Sequence, residues 1–137
     1  QGVARHLTKM TGRKVFGIYA DKVEGSDALV IKRGYDKYVP GKRILVVDDV
    51  LTTGGSVKKL VELIVALGGI VVGIGALCNR GNVQPADVGG VPKMESLISV
   101  QMATYEEAVC PLCAQGLSIN TEVGEGAKYL ARKARGG

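Results

Sequence analysis

Two apolar runs on either side of a helical pattern constrain the fold of this 137-residue chain more than any other sequence feature. The runs are Ile44–Val47 and Ile70–Leu77, and unbroken apolar runs of this kind are typical of strands covered on both faces of a sheet. Between them, apolar residues recur near helical spacing, at Val57, Leu60, Val61, Ile64 and Leu67, before Gly68–Gly69. This order predicts a right-handed βαβ unit. We therefore expect an α/β fold with a central, mostly parallel sheet flanked by helices.

The rest of the chain predicts shorter elements around this unit. We expect further strands at Val15–Ala20, Ala28–Ile31 and Ser96–Gln101, with a polar turn at 21–27. We expect helical segments at Gly2–Met10, at Thr104–Cys113 with an interruption at Pro111, and at Glu125–Ala134. Because the length is that of one domain, we predict a single domain over residues 1–137.

Composition and charge narrow the classes of function. Apolar residues make up 46% of the chain and charged residues 23%, which excludes a wholly disordered protein. No apolar run is long enough to cross a bilayer and no secretory signal is recognisable, so we expect no membrane partner. The net charge of +5 is compatible with an anionic small molecule as the binding partner. The lysines and arginines are dispersed along the chain, which argues against nucleic-acid binding. The uneven count of three cysteines predicts a reducing, cytoplasmic location.

The segment Val46–Ser56 carries the clearest chemical signal. Asp48 and Asp49 leave the end of the predicted strand, and a turn of small residues, 52–56, leads into the helix. In open α/β sheets, ligands bind outside the carboxyl ends of the strands, and free N–H groups at such a turn can hold a phosphate. The two carboxylates would repel that phosphate, so they must serve neighbouring hydroxyl groups or a metal. The alternative is that the aspartates only cap the turn and the glycines only close it.

The Val46–Ser56 segment resembles the phosphoribosyl-pyrophosphate motif of type I phosphoribosyltransferases. Other blocks resemble the orotate phosphoribosyltransferases in particular, namely 15–22, 29–35, 76–80 and, in a bacterial and archaeal branch, 110–116. The resemblance implies transfer of ribose 5-phosphate from phosphoribosyl pyrophosphate to orotate, in pyrimidine biosynthesis. It also implies that a segment before Gln1 completes the domain, and that the enzyme forms a homodimer.

The resemblance assigns roles to residues of the motif. Asp48 and Asp49 would be catalytic and would hold the ribose hydroxyls, while the turn would hold the 5-phosphate and Thr52 would also reach the base. The expected substrate-binding residues of the motif are Asp48, Asp49, Val50, Leu51, Thr52, Thr53, Gly54, Gly55 and Ser56. Mg²⁺ would be bound mainly by pyrophosphate and ribose oxygens, so we expect no metal site made of protein ligands alone.

Four basic residues outside the motif are also expected to contact substrate. The resemblance implies that Lys32 and Arg33 are catalytic and bind pyrophosphate from a mobile loop, with Lys37 as a further candidate. It implies that Arg80 recognises the orotate carboxylate, which a guanidinium can grip with two parallel hydrogen bonds. The alternative is a solvated basic loop and a surface arginine, because charged residues are usually exposed. The loop also lacks the histidine that many orotate enzymes carry.

The cysteines and the single histidine have ordinary structural explanations. Cys110 and Cys113 have the spacing of half a zinc site or a redox pair. The other zinc ligands, Cys78 and His6, would be distant in sequence, and a redox pair would need a strand-to-helix context that is lacking, so we favour structural cysteines. His6 is expected to be a surface or packing residue. The competing functions are transfer to a purine or other base, and a phosphoribosyl-pyrophosphate sensor without catalysis.

Overall fold

The computed structural model describes residues 1–103 and 105–135 of the chain. The helices and strands are α1 (Gly2–Thr11), β1 (Asp21–Lys22), β2 (Leu29–Val30), β3 (Arg43–Leu51), α2 (Gly55–Ala66), β4 (Ile70–Asn79), β5 (Met94–Ser99), α3 (Pro111–Ala114) and α4 (Gly126–Ala134). Short 3₁₀ helices lie at Asp36–Tyr38, Pro85–Val88 and Glu107–Val109. The chain forms two compact units, Gln1–Met102 and Ala103–Gly137, and the single domain stays a prediction.

A parallel sheet in the order β3-β4-β5 forms the centre of the N-terminal unit. The β3 and β4 strands pair from Arg43↔Ile70 to Leu51↔Asn79, and α2 connects them. The predicted βαβ unit is therefore confirmed, and β5 adds a third parallel strand where a strand was expected at Ser96–Gln101. The α/β class with a parallel sheet flanked by helices is confirmed as well.

The core of this unit lies on one face of the sheet. Helix α2 buries Val57, Val61 and Ile64 on that side, together with Val46 of β3 and Ile74 of β4. On the other face, four apolar side chains are exposed: Leu45 and Val47 on β3, and Leu77 and Leu97, which are adjacent across β4 and β5. The expectation that β3 and β4 are covered on both faces is therefore wrong for this chain, although their sequences are continuously apolar.

The N-terminal strand prediction is also wrong. Residues 13–20, all of which the structure describes, contain no strand, and Phe16 is largely exposed. The Phe16 ring stacks on Tyr38 with centroids 5.7 Å apart, so this apolar segment contacts the 3₁₀ helix Asp36–Tyr38 instead of pairing with another strand. The short antiparallel pair β1–β2 begins at Asp21, inside the stretch expected to be a polar turn.

The C-terminal unit is held together by a polar cluster. Glu107 accepts hydrogen bonds from the Tyr129 hydroxyl and the Lys133 ammonium group, both on α4. The helix expected at Glu125–Ala134 is confirmed, but Pro111 begins α3 instead of interrupting a helix, since proline is well tolerated at the first helical position. Thr104, where the earlier helical segment was expected to begin, lies outside the described residues. None of the described helices combines the length and apolar character that a membrane span requires.

Candidate functional site

The two neighbouring carboxylates lie near the end of β3. The strand continues to Leu51, beyond its predicted end, because its backbone stays paired with β4 at Asp48↔Ala76 and Leu51↔Asn79. Asp48 is half-buried and Asp49 is exposed. The Asp49 N–H donates to Asp48 Oδ1 at 3.0 Å, and the Val50 N–H donates to Asp49 Oδ1 at 2.7 Å. These local bonds hold both carboxylates at the carboxyl edge of the sheet.

The proton affinity of Asp48 reflects this position. Burial raises the pKa of the Asp48 carboxyl above its ordinary value of 3.8, the Asp49 N–H lowers it, and the nearby charge of Asp49 raises it again. A carboxylate whose charge is disfavoured in the free protein gains most from a partner that donates hydrogen bonds or carries positive charge. The pair is therefore suited to hydroxyl groups or a cation.

The turn after β3 has the form of a phosphate cup. Thr52 and Thr53 are exposed, and Gly54 takes a left-handed conformation with φ of 76° immediately before α2. Gly54 contributes no side-chain cap, and the first intrahelical bond runs from the Lys58 N–H to the Gly54 carbonyl at 2.8 Å. The N–H groups of the first helical turn have no partner within the helix, so they can bind an anion.

Gly54 also has no space for a side chain. A Cβ at this position would lie 2.9 Å from a methyl group of Val83 and 2.9 Å from one of Val88. These two valines are buried and belong to the segment after β4. The turn is therefore supported from behind by apolar packing, while Thr52, Thr53 and Ser56 are exposed at its surface.

Arg80 lies directly beside this turn. Its N–H donates to the Leu51 carbonyl at 2.9 Å, and the following Gly81 approaches Thr52 so closely that a Cβ would overlap the Thr52 carbonyl oxygen. The Nε atom of Arg80 is buried and has no hydrogen-bond partner among the described residues. The structure thus brings the backbone of Arg80 together with the Asp48–Ser56 segment.

The basic residues after β2 form a separate, well-defined turn. Arg33 and Gly34 have positive φ values of 62° and 72°, and the Arg33 guanidinium lies 5.4 Å from the centroid of the Tyr19 ring. Lys32, Arg33 and Lys37 are exposed, whereas Val39 at the end of the segment is fully buried, so the loop is only partly exposed. Within the described part of the chain, no ion pair joins these basic residues to Asp48 or Asp49.

Two structural residues of the site were missed by sequence reasoning. Asn79 is buried, and its side chain donates to the Val83 carbonyl at 2.9 Å and accepts from the Val83 N–H at 3.0 Å. It thereby holds the segment that packs behind Gly54. Gly81 allows the close approach to Thr52. The sequence offered two signals for these roles, namely a polar residue at the end of a buried strand and a glycine directly after Arg80.

The remaining expectations concern residues around the site. Leu51 is buried in the core and its carbonyl is occupied by Arg80, so its expected substrate contact stays a prediction, as does that of the exposed Val50. His6 is exposed on α1. Among the residues that the structure describes, no cluster of three or more His, Cys, Asp or Glu side chains is placed to hold a metal ion.

Comparison with known proteins relates this geometry to a family. The family model described as phosphoribosyl transferase domain matches residues 1–108. A protein of Caldanaerobacter subterraneus named orotate phosphoribosyltransferase is 40% identical over 105 residues, 77% of this chain and 52% of its own. One of the same name from Desulforamulus reducens is 49% identical over 78 residues, 57% of this chain and 39% of its own.

A solved structure titled orotate phosphoribosyltransferase, from Aeropyrum pernix, has a TM-score of 0.49 and 26% identity, covering 70% of this chain and 52% of its own. The chain spans about half the length of the first of the curated relatives described above. The family model covers most of the chain, including β3, the turn, α2 and Arg80. The chain therefore belongs to the phosphoribosyl transferase domain family.

Proposed function

We propose that this chain is the phosphoribosyl-pyrophosphate-binding part of an orotate phosphoribosyltransferase. The enzyme would transfer ribose 5-phosphate from phosphoribosyl pyrophosphate to orotate, giving orotidine 5-phosphate and pyrophosphate in pyrimidine biosynthesis. The shared name of the two curated relatives supports orotate as the acceptor. The phosphate cup beside two carboxylates supports a sugar phosphate as the donor.

In this mechanism, the chain's own residues bind and orient both substrates. The N–H groups and hydroxyls of the turn at 52–56 hold the 5-phosphate, and Asp48 and Asp49 accept hydrogen bonds from the ribose hydroxyls. As the bond from C1 to pyrophosphate breaks, positive charge develops on the ribose ring, and the two carboxylates stabilise it. Lys32 and Arg33, with Lys37 nearby, neutralise the departing pyrophosphate.

Mg²⁺ is the expected cofactor, and the residues present are compatible with it. Asp48 and Asp49 lie side by side, and the described residues offer no closed set of protein ligands. This donor set suits an ion bound through one or two carboxylates and substrate oxygens. When bound, Mg²⁺ neutralises charge on the pyrophosphate leaving group.

The observation that carries the choice of orotate is the position of Arg80. Its backbone N–H is bonded to Leu51, next to Thr52, and a guanidinium on a residue at this place can give a planar carboxylate on the base two parallel hydrogen bonds. We expect the full-length protein, with Mg²⁺ and phosphoribosyl pyrophosphate, to release pyrophosphate with orotate and not with adenine, guanine or hypoxanthine. Turnover with a purine would show a different base specificity, and binding of the sugar phosphate without turnover would show a sensor.

A matched pair of variants tests the role of Arg80 directly. Arg80→Lys keeps the charge but loses the planar fork, so we expect kcat/KM for orotate to fall roughly 10- to 100-fold, the loss of one charged hydrogen bond. Titration calorimetry should show unchanged affinity for phosphoribosyl pyrophosphate. His6→Ala is the control and should change neither quantity. An equal loss of sugar-phosphate affinity in Arg80→Lys would refute a specific contact with the base.

The assembly and location belong to the same proposal. The exposed apolar residues on the open sheet face support association into a homodimer. Three free cysteines support a reducing, cytoplasmic environment.

A further inference from the structure

The C-terminal unit brings together two thiols that the proposed transfer reaction does not use. Cys110 is the residue immediately before α3, with an extended backbone, and Cys113 is the third residue of that helix. The two side chains are therefore three residues apart around the start of a short helix, and both line one pocket. The order of an extended residue, a proline and a short helix supplies the context that the sequence pattern alone did not reveal.

The backbone around the pair is well ordered by hydrogen bonds. The Cys110 N–H donates to the Glu107 carbonyl at 3.3 Å, and the Cys110 carbonyl accepts from the Ala114 N–H at 3.0 Å. Both cysteines are free, Cys110 is half-buried and Cys113 is exposed. Together they line an open pocket with Glu107, Ala108 and Ala114.

The two thiols differ in proton affinity. Hydrogen bonds from the Cys113 N–H and the Cys113 side chain lower the pKa of the Cys110 thiol. The bond with Cys110 raises the pKa of the Cys113 thiol, with smaller effects from Glu107 and Lys133. A thiolate is the reactive form, so Cys110 is the thiol prepared to attack and Cys113 the one that keeps its proton until the second step.

We propose that Cys110 and Cys113 form a redox-active dithiol, which low-molecular-weight disulfides convert reversibly into an intramolecular disulfide. The Cys110 thiolate attacks one sulfur of the small disulfide, whose S–S bond breaks, and one thiolate leaves and takes up the proton released by Cys110. Cys113 then loses its proton and attacks Cys110 Sγ, and the second small thiolate leaves and is protonated. One protein dithiol and one small disulfide thus give one protein disulfide and two small thiols.

The experiment uses the full chain with Cys78→Ser, which leaves only the pair, and oxidised glutathione as the disulfide. We expect intact-mass analysis to show loss of two hydrogen atoms, loss of both alkylatable thiols, and full recovery with dithiothreitol. Adding Cys113→Ser should trap a stable glutathione adduct on Cys110. With Cys110→Ser instead, Cys113 should form only a mixed disulfide with glutathione and no intramolecular bond, because its partner thiol is gone.

The matched comparison is the native Cys78 in a variant carrying both Cys110→Ser and Cys113→Ser. Cys78 lies in β4, is half-buried and is the one cysteine left in this variant, so it should form only a slow adduct. The proposal is overturned if Cys110 and Cys113 each take up one glutathione without joining, or if they react no faster than Cys78. Stoichiometric zinc in the purified protein, released together with thiol reactivity by a chelator, would overturn it as well.

Discussion

At the scale of single residues, adjacent glycines in the phosphate turn carry different structural demands. Gly54 has a left-handed backbone and no space beside Val83 and Val88, whereas a side chain at Gly55, the first residue of α2, would make only an ordinary contact. We expect Gly54→Ala to lower the free energy of unfolding by about 2 kcal/mol, through strain and overpacking. Urea unfolding followed by circular dichroism measures this.

Gly55→Ala is the matched control for that substitution. Its φ is not in the left-handed region and the nearest atom to an added Cβ is Thr53 Oγ1, at 3.6 Å. Alanine favours a helix over glycine, so stability should stay equal or rise by up to about 1 kcal/mol. Equal losses in both variants would contradict the difference between the two positions.

The Asp48 carboxyl gives a second prediction at this scale. Because burial raises its pKa in the folded protein above 3.8, the folded state keeps a proton that the unfolded state has already lost. Stability therefore falls as pH rises from about this ordinary value through the raised one. We expect Asp48→Asn to remove this fall and to stabilise the protein at neutral pH, while weakening binding of phosphoribosyl pyrophosphate.

Thermal unfolding across pH 4 to 7, with binding calorimetry at neutral pH, measures both effects. Asp36→Asn, on the exposed 3₁₀ helix Asp36–Tyr38, is the control and should change neither the slope nor the affinity. If Asp48→Asn destabilises the protein at neutral pH, the prediction that the charged Asp48 lowers the stability of the folded protein is wrong. A gain in stability with lost binding would mark Asp48 as a functional residue.

At the scale of elements, the two faces of β4 should respond differently to the same truncation. Ile74 is 2% exposed and faces the core, whereas Leu77, three residues later on the opposite face, is 58% exposed. We expect Ile74→Ala to cost about 2–4 kcal/mol of unfolding free energy and Leu77→Ala less than about 0.5 kcal/mol. Chemical denaturation measures both, and similar costs would contradict a sheet covered on one face.

The elements that sequence predicted best are those with strong periodicity. The β3, α2 and β4 elements were predictable because two continuous apolar runs flank a helical pattern that ends at Gly68–Gly69. Val15–Ala20 looked equally apolar, but whether such a run pairs depends on a partner strand that local sequence does not specify. The end of β3 was missed for a related reason, because pairing with β4 extends the strand through polar residues.

Sequence predicted the residues of the site that are expected to contact substrate. It did not predict the residues that hold the turn in place. Asp48, Asp49, the glycine turn and Arg80 form a recognisable pattern, and the structure brings them to one edge of the sheet. Asn79 and Gly81 act through Val83 and Thr52, and those contacts depend on how the segment after β4 folds back. Sequence spacing does not specify how the segment after β4 folds back. The roles of Asn79 and Gly81 are therefore visible only in the three-dimensional structure.

At the scale of the whole molecule, the uncovered face of the parallel sheet has a consequence for solution behaviour. Leu45, Val47, Leu77 and Leu97 share this face and are exposed, Leu97 to 80%. Parallel sheets are normally covered on both faces, and contiguous apolar patches drive association. We expect the chain to self-associate at micromolar concentration in sedimentation velocity, and the double variant Leu77→Lys with Leu97→Lys to sediment as a smaller species.

A control variant with a lysine outside the open sheet face distinguishes the loss of apolar surface from the effect of added positive charge. Val65 is 59% exposed on α2, outside the open sheet face, so Val65→Lys should leave the sedimentation pattern unchanged. The unfolding free energy of the double variant should stay within about 0.5 kcal/mol of the original, because both leucines are already in contact with water. If Val65→Lys dissociates the assembly equally well, or if the double variant leaves it intact, association does not depend on the sheet face. A selective effect of Leu77 and Leu97 would identify that face as the surface that a second copy of the chain covers.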